Sequence, residues 1–369
     1  MSKKVAYLTR HTVSNYGSVL QSYATQRAIE ETGNEAVCID YYRADEKPNK
    51  LTKTRLAMSG KWNKNLLTKL IYIITQGPVY RYAGKKFKKF RKILKTTDVE
   101  YNTIDQLKEN PPQADVYMTG SDQVWNTITY DKIDLAYFLS FLDDNHKKVA
   151  YSGSFGGNSI KDSDKELIKS CLEKYSTVTI RENSGVKIAQ ELGISATQVL
   201  DPTLLLNKKQ WQEIIPIRKK DKPYVLVYQL HPNKAFVKYA KEFAGKKGLK
   251  LIRISHCFHH AVRTGKFVCC PEPGEFLSYI MNAEYFLTDS FHGTAFAIGL
   301  NTQFVNVLPK AYSERITSIL QLIGYENRIL TDYQDFSIAD NRIDYKKVNE
   351  IISGERKKSF AELKKMIGD

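Results

Sequence analysis

Short apolar runs recur along this chain, each closed by a polar or glycine-containing loop and followed by a helical pattern. Val5 to Thr9 reads as a buried strand. Asn15-Tyr16-Gly17 leads into a helix through Leu20, Tyr23, Ala24 and Ile29 that Gly33 closes, and Ala36 to Tyr41 is the next strand. Strand, helix and strand in such quick succession form a βαβ unit and predict a parallel sheet. Strands resume at Val116 to Thr119, Lys148 to Ser152, Thr177 to Ile180 and Gln198 to Leu200, ending in the loops GSDQVWN, GSFGGNS, RENSG and DPT. Ligands of open α/β sheets sit at the carboxyl ends of strands, so these four loops are expected to converge on one crevice.

Asn207 to Ile215 is then expected to be a helix leading out of this block. A second series follows, at Tyr224 to Tyr228, Leu249 to Ile254, Lys266 to Cys269, Tyr285 to Thr288 and Phe304 to Val307. The pattern predicts two Rossmann-like parallel-sheet domains facing a cleft, with residues 1–206 in the first and 207–340 in the second. In the remaining 341–369, Tyr345 to Ile367 reads as a helix able to bridge them.

Within the second series, EYFLTDSFHGTAFAIGLNTQFVNV (Glu284 to Val307) carries the most chemistry. An apolar strand stops at Asp289, leaves Ser290-Phe291-His292-Gly293 in a tight loop, and a helix is expected from Thr294. The first N–H groups of a helix lack intrahelical partners and carry the positive end of its dipole, which suits a phosphate or carboxylate. Gly293 allows close backbone approach, and Thr294 can cap. His292 can give and take a proton near neutrality. The plain alternative is a buried histidine hydrogen-bonded at a helix start.

Composition changes the picture in one place. The net charge of +16 is concentrated between Lys47 and Lys95, where Lys and Arg alternate with apolar and aromatic residues and no Asp or Glu occurs. Basic plus apolar plus aromatic suits a helix lying on an anionic membrane. A solvated basic insertion is the alternative. Nucleic-acid binding fits less well, because the apolar residues outnumber what a phosphate-tracking face needs. No apolar stretch is long enough to span a bilayer. The five cysteines (Cys38, Cys171, Cys257, Cys269 and Cys270) show no CxxC pair and fit a reducing cytoplasm.

Five motifs, NYGSVLQSYA (Asn15 to Ala24), TGSDQVWN (Thr119 to Asn126), TIREN (Thr179 to Asn183), VLDPTLLL (Val199 to Leu206) and TDSFHG (Thr288 to Gly293), resemble in order and spacing the polysaccharide pyruvyl transferase family. The resemblance implies a GT-B-like fold, with the acceptor in the first domain and the donor in the second. It also implies transfer of the enolpyruvyl unit of phosphoenolpyruvate, as a ketal, to a sugar of a cell-surface polysaccharide precursor, without metal or other cofactor. A GT-B glycosyltransferase using a nucleotide sugar is the alternative. The expected location is the inner face of the membrane, where the precursor hangs from a lipid and residues 47–95 form the dock.

Such chemistry asks for an acid, a base and anion holders. His292 and Asp122 are the expected proton-transfer groups. Arg181 can bind a carboxylate or phosphate with its fork, the alternative being a pair with Glu182 or a neighbouring carboxylate, and Ser290, Phe291, Gly293 and Thr294 form the anion loop. Relatives in the family often carry Arg where Ser290 stands, so Arg253, Arg263, Lys310 and Arg315 are candidates for the missing charge. For the acceptor, Trp125 offers a flat face for a sugar ring, in the same motif as Ser121, Gln123 and Asn126, and Asn15, Tyr16 and Gly17 at the start of the first helix can touch it. The alternatives are that Trp125 is core, that Asp122 caps the next turn, and that Asn15-Tyr16-Gly17 is a cap and tight turn. Two metal-like patterns are read as structural. Asp162-Ser163-Asp164 precedes a helical run and suits its N-cap, and the spacing of His256, Cys257, His259, His260, Cys269 and Cys270 matches no common zinc site.

Overall fold

The computed structural model describes residues 1–43, 46–126, 133–217, 222–310 and 313–368. Two all-parallel sheets organise them. The first has six strands in the order β2-β1-β3-β4-β5-β6: β1 (Lys4–Leu8), β2 (Glu35–Cys38), β3 (Val116–Thr119), β4 (Lys148–Gly153), β5 (Thr177–Ile180) and β6 (Ala196–Gln198). The second has five in the order β11-β10-β7-β8-β9: β7 (Tyr224–Tyr228), β8 (Lys250–Ser255), β9 (Lys266–Cys269), β10 (Tyr285–Thr288) and β11 (Phe304–Asn306). Central strands such as β3 and β7 are buried at every residue, which is why their sequences are continuously apolar rather than alternating.

Several boundaries differ from the sequence expectation, among them the end of β2, expected at Tyr41 and found at Cys38. The strand expected at Gln198 to Leu200 lies earlier, because Asp201 caps a helical turn with Pro202 in its first position and ends the extended run. The helix after β10 begins at Phe291, not Thr294, since Ser290 provides the N-cap and its hydroxyl accepts from the Gly293 amide. The helix expected over Asn207 to Ile215 spans only Lys208–Gln212.

Helices join the two sheets. The first, α1 (Tyr16–Glu31), follows β1 and is buried along most of its length. The basic segment folds into α2 (Pro48–Ala57) and α3 (Leu66–Arg91), packed on one another. In α3, Phe87 meets Tyr16 of α1 at a ring distance of 5.0 Å and His256 of the second domain at 5.6 Å. Lys86 and Lys89 pair with Glu272, which precedes α4 (Pro273–Met281), while Lys95 pairs with Glu30 of α1. The carboxyl-terminal half of this segment is therefore a strut between the domains and not only an exposed basic surface.

Beyond α5 (Phe291–Leu300) and α6 (Glu314–Ile323), the chain ends in α7 (Tyr345–Gly368), which spans both halves. At its start the Tyr345 hydroxyl donates to Ala297 O of α5. Further along, Ser359 Oγ accepts from the Leu200 amide, and Ile367 O accepts from Lys3 Nζ beside β1.

Candidate active site

The loops after β3, β4 and β5 and the turn after β6 meet around one guanidinium. Arg181, at the end of β5, has a fully buried side chain. Its Nη1 donates to Asp201 Oδ2 at 2.9 Å and its Nε to Glu182 Oε2 at 3.1 Å, while Nη2 lies 3.9 Å from Asp122 Oδ1. The carboxylates are held in turn. Ser154 donates to Glu182, Thr203 donates to Asp201 through both amide and hydroxyl, and Ser18 Oγ donates to Asp122 Oδ2 at 2.5 Å. Burial pushes the Asp201 carboxyl up, but His292 and Arg181 outweigh it and pull it well below the usual range. Asp122 is likewise raised by burial and lowered further by His292, Arg181 and Arg10, so it stays ionised.

His292 completes the cluster from the other domain. Its Nε2 lies 3.5 Å from Arg181 Nη1 and 3.7 Å from Asp201 Oδ2. The opposite side of the ring rests on α1, where a Cβ built on Gly17 would lie only 2.1 Å from His292 Nδ1. Gly17 is thus explained by the close approach of an imidazole from across the interface. Asp122 adopts φ +83°, a left-handed conformation uncommon outside glycine, and bridges to Gly153. Backbone strain of this kind costs on the order of 1–3 kcal/mol and concentrates at functional sites.

His292 opens onto a cleft of about 260 Å³ between the domains, lined also by Arg10, Asn15, Arg55, Gln123, His231 and Arg315. Arg315 comes from α6 and faces the Gln123 amide at 2.8 and 2.9 Å. Burial and the neighbouring Arg181 push its guanidinium down to about 10, which leaves it charged at neutral pH. Arg55 arrives from α2, so the basic segment contributes directly to the site. His231 follows β7. The buried carboxylate of Asp289 accepts from the Leu230 amide at 2.7 Å, the His231 amide at 2.8 Å and His231 Nδ1 at 3.1 Å, fixing this loop and orienting the ring.

Several sequence-predicted residues fall elsewhere. Trp125 is core, 1% exposed, packed between Phe138 and Phe155 and against Gly153, and it offers no face to a sugar. Tyr16 is fully buried, stacked on Phe276 at 4.0 Å with its hydroxyl donating to Pro271 O. Ser121 lies inside the Arg181 network against Asp201, and Asn126 is buried beside Gln123. Arg253 spends its donors on the backbone carbonyls of Thr264 and Val237, Arg263 bonds Gln229, and Lys310 is exposed outside the cleft lining.

The anion loop is only partly as expected. Gly293 N–H is taken by Ser290, and the buried Thr294 hydroxyl donates back to Ser290 O, leaving the Phe291 and His292 amides for a ligand. Arg181 is turned away from the cleft and faces a smaller cavity of about 160 Å³ behind Phe291. Three carboxylates already surround it, so it is a poor holder for an incoming anion.

Of the candidates for missing charge, Arg315 is the one the structure brings to the cleft. Arg10, Arg55 and His231 were not anticipated. Arg10 follows a strand, a position that carries signal; Arg55 and His231 lie in stretches without a motif. Away from the cleft, the ligand atoms of Cys257, His259 and His260 lie within 4.8 Å of one another and could hold a metal, but the Arg263 charge stands against them. Asp162-Ser163-Asp164 forms a surface 3-10 turn that leads into the helix Lys165–Leu172, with Asp164 at its N-cap position but no side-chain capping bond, and Asp162 pairs with Lys165.

Comparison with known proteins bears on this geometry. The family model described as polysaccharide pyruvyl transferase matches residues 15–310. No curated protein matches the chain. Solved structures similar to it include Arabidopsis thaliana UGT89C1 complexed with UDP-L-rhamnose, at TM-score 0.54 and 9% identity, covering 100% of this chain and 99% of that one. UDP-N-acetylglucosamine 2-epimerase from Rickettsia bellii gives TM-score 0.53 and 10% identity, covering 99% and 98%. The S. aureus MnaA-UDP co-structure gives 0.55 and 10%, covering 95% and 91%. At these identities the likeness is one of fold, the GT-B arrangement of two facing parallel-sheet domains.

Proposed function

The chain belongs to the polysaccharide pyruvyl transferase family, and from that premise we propose that it moves the enolpyruvyl unit of phosphoenolpyruvate onto a sugar of a polysaccharide precursor, without metal. The observation that carries this reading is the meeting of His292 with three arginines in one cleft, since the donor brings both a carboxylate and a phosphate. Arg315 and Arg55 hold those anions, with Arg10, already paired to Glu46, adding positive charge beside them. His292 protonates the methylene carbon, a sugar hydroxyl attacks the resulting cationic carbon, and the carbon–oxygen bond to phosphate breaks. A second hydroxyl closes the ketal. The two hydroxyl protons end on the new methyl group and on phosphate, and His231, oriented by Asp289, receives the first of them. Asp122, ionised and bonded to Ser18, is a weak base and serves as counter-charge.

The direct test incubates the protein with phosphoenolpyruvate and short glycosyl acceptors and follows phosphate release and ketal formation. Release that depends on acceptor is expected; thermal protection by a nucleotide sugar, with no release from phosphoenolpyruvate, overturns the reading. If His231 takes the hydroxyl proton, His231→Gln lowers kcat by about 100-fold, the low end of general-base effects. Asp289→Asn should shift the pH profile as well as lower kcat. Unchanged pH profiles in both variants return His231 to a structural role.

The acceptor is proposed to be lipid-linked, with α3 docking the protein on the membrane. Among the described residues no helix is long and apolar enough to cross a membrane. The amino-terminal turns of α3 nevertheless expose Leu66 (85%), Leu67 (67%) and Ile74 (63%), together with Leu70, Ile71 and Ile73, next to Lys61, Lys64 and Lys69. Unpaired apolar surface beside lysines suits an anionic interface. Each basic residue near such a surface contributes about 1 kcal/mol. Sedimentation with anionic vesicles at low salt is expected, and release by salt. Leu66→Glu with Leu70→Glu should abolish it and leave activity on a short soluble acceptor intact; unaltered sedimentation of that variant removes α3 as the dock. Lys86 and Lys89 are unsuitable for such a test because they hold Glu272.

A further inference from the structure

A second and larger groove, of about 680 Å³, lies outside the cleft, between the carboxyl-terminal half of α3 and the edge of the first sheet. Arg81, Lys85, Lys88, Arg91 and Lys92 line it. The carboxylates of its lining, Asp40 and Glu100, are already engaged, Asp40 with His11 at 3.0 Å and Glu100 with Lys47 at 2.9 Å. Arg91 is fixed by donation to Thr12 O. Among the described residues Lys85, Lys88 and Lys92 make no ion pair.

Arg81, Lys85, Lys88 and Lys92 follow one another at intervals of three and four residues, which puts them in one stripe along the helix, roughly 16 Å long at 1.5 Å per residue. Like charges at this spacing repel and work against the helix. The helix dipole accounts for cations in the last turn, but not for Arg81 and Lys85, which stand further back. An uncompensated stripe walling a cavity therefore points to an anionic occupant with more than one charged group.

The groove also neighbours the site through an intervening cavity. Thr12 and Tyr42 line both it and an adjoining cavity, and that cavity shares Val13 and Arg55 with the His292 cleft. A ligand whose sugar sits at His292 would run past Arg55 and Thr12 to the lysine stripe. We infer that the groove binds a diphosphate, the one that joins the acceptor sugar to its lipid carrier. This rests on the lipid-linked acceptor proposed above.

The test is calorimetric titration of the full chain at fixed low salt with inorganic pyrophosphate and, separately, with geranyl diphosphate. Both probes should bind the wild type, and Lys85→Glu with Lys88→Glu should weaken both by about tenfold or more, since two attractive charges become repulsive. Lys85→Gln with Lys88→Gln, which introduces no repulsion and guards against misfolding, should lose affinity to a smaller degree. Wild-type affinity in both double variants, or no binding to the wild type, overturns the inference. Binding of pyrophosphate but not of geranyl diphosphate overturns the carrier-linked reading. Because binding is read without turnover, a failure of pyruvyl transfer would leave this result standing and be recognised as a separate failure.

Discussion

His292→Ala is expected to fold normally and to lose turnover by about 100- to 10,000-fold, the range of general acid–base catalysis. Folding should survive because the side chain borders the cleft and its polar contacts, 3.5 Å to Arg181 and 3.7 Å to Asp201, are long. A companion variant separates position from chemistry. Gly17→Ala keeps the imidazole but places a methyl group where His292 Nδ1 now lies 2.1 Å away, so the ring must move. Alanine is a better helix former than glycine by roughly 1 kcal/mol, which offsets part of the clash. A Cβ at Gly17 would also lie 2.4 Å from His292 Cγ and 2.8 Å from its Cβ, so rotating the ring does not relieve the clash, and the expected pattern is a lowered Tm together with loss of most of the turnover, measured by phosphate release. Near-normal kcat in His292→Ala removes the residue from proton transfer, and near-normal kcat in Gly17→Ala shows that the ring has no required position.

The outlines of both domains were legible because parallel strands buried on two faces leave continuous apolar runs, and nearly every run placed here is a strand. The anion loop was legible as a β-loop-α junction, but not its register. Ser290 and Thr294 are equally good caps by type, and only the structure shows that Ser290 takes the role. Trp125 and Tyr16 stayed open between ligand and core for a different reason. An aromatic residue beside a loop glycine is compatible with ligand or core, and the deciding contacts, Phe155 for one and Phe276 for the other, come from distant segments. Arg55 is the clearest case of a cleft-lining residue hidden from sequence. It lies among 15 Lys and Arg residues between Lys47 and Lys95 that read as one surface, and tertiary packing alone divides them into strut, cleft wall and exposed face.

Arg181 is expected to show the largest stability effect in the protein. Arg181→Ala leaves Asp122, Glu182 and Asp201 buried without their shared cation, and breaking a buried ion pair from one side typically costs about 3–5 kcal/mol. The pH dependence carries the sign of the cause. In the wild type Asp201 and Asp122 are held below their usual range, so their contribution is present above the unfolded carboxyl value near pH 4 and is lost as pH falls through the folded values. In Arg181→Ala the same buried carboxyls keep His292 but lose the second cation that holds them down, so both rise relative to the wild type. Acid then relieves the variant as it begins to erode the wild type. Chemical denaturation should therefore give a smaller stability difference at pH 5 than at pH 8. Equal differences at the two values would mean that the guanidinium does not hold these carboxylates.

Arg181→Lys keeps the charge but not the fork, and Nη1, the atom nearest His292, has no counterpart in lysine. Its expected signature is a fall in kcat with little change in the KM for donor, as befits a residue that positions His292 from behind Phe291. Arg315→Gln should do the reverse, raising the donor KM, because Arg315 lines the cleft and Arg181 does not. A rise in donor KM for Arg181→Lys as large as that for Arg315→Gln would return Arg181 to direct contact with the donor.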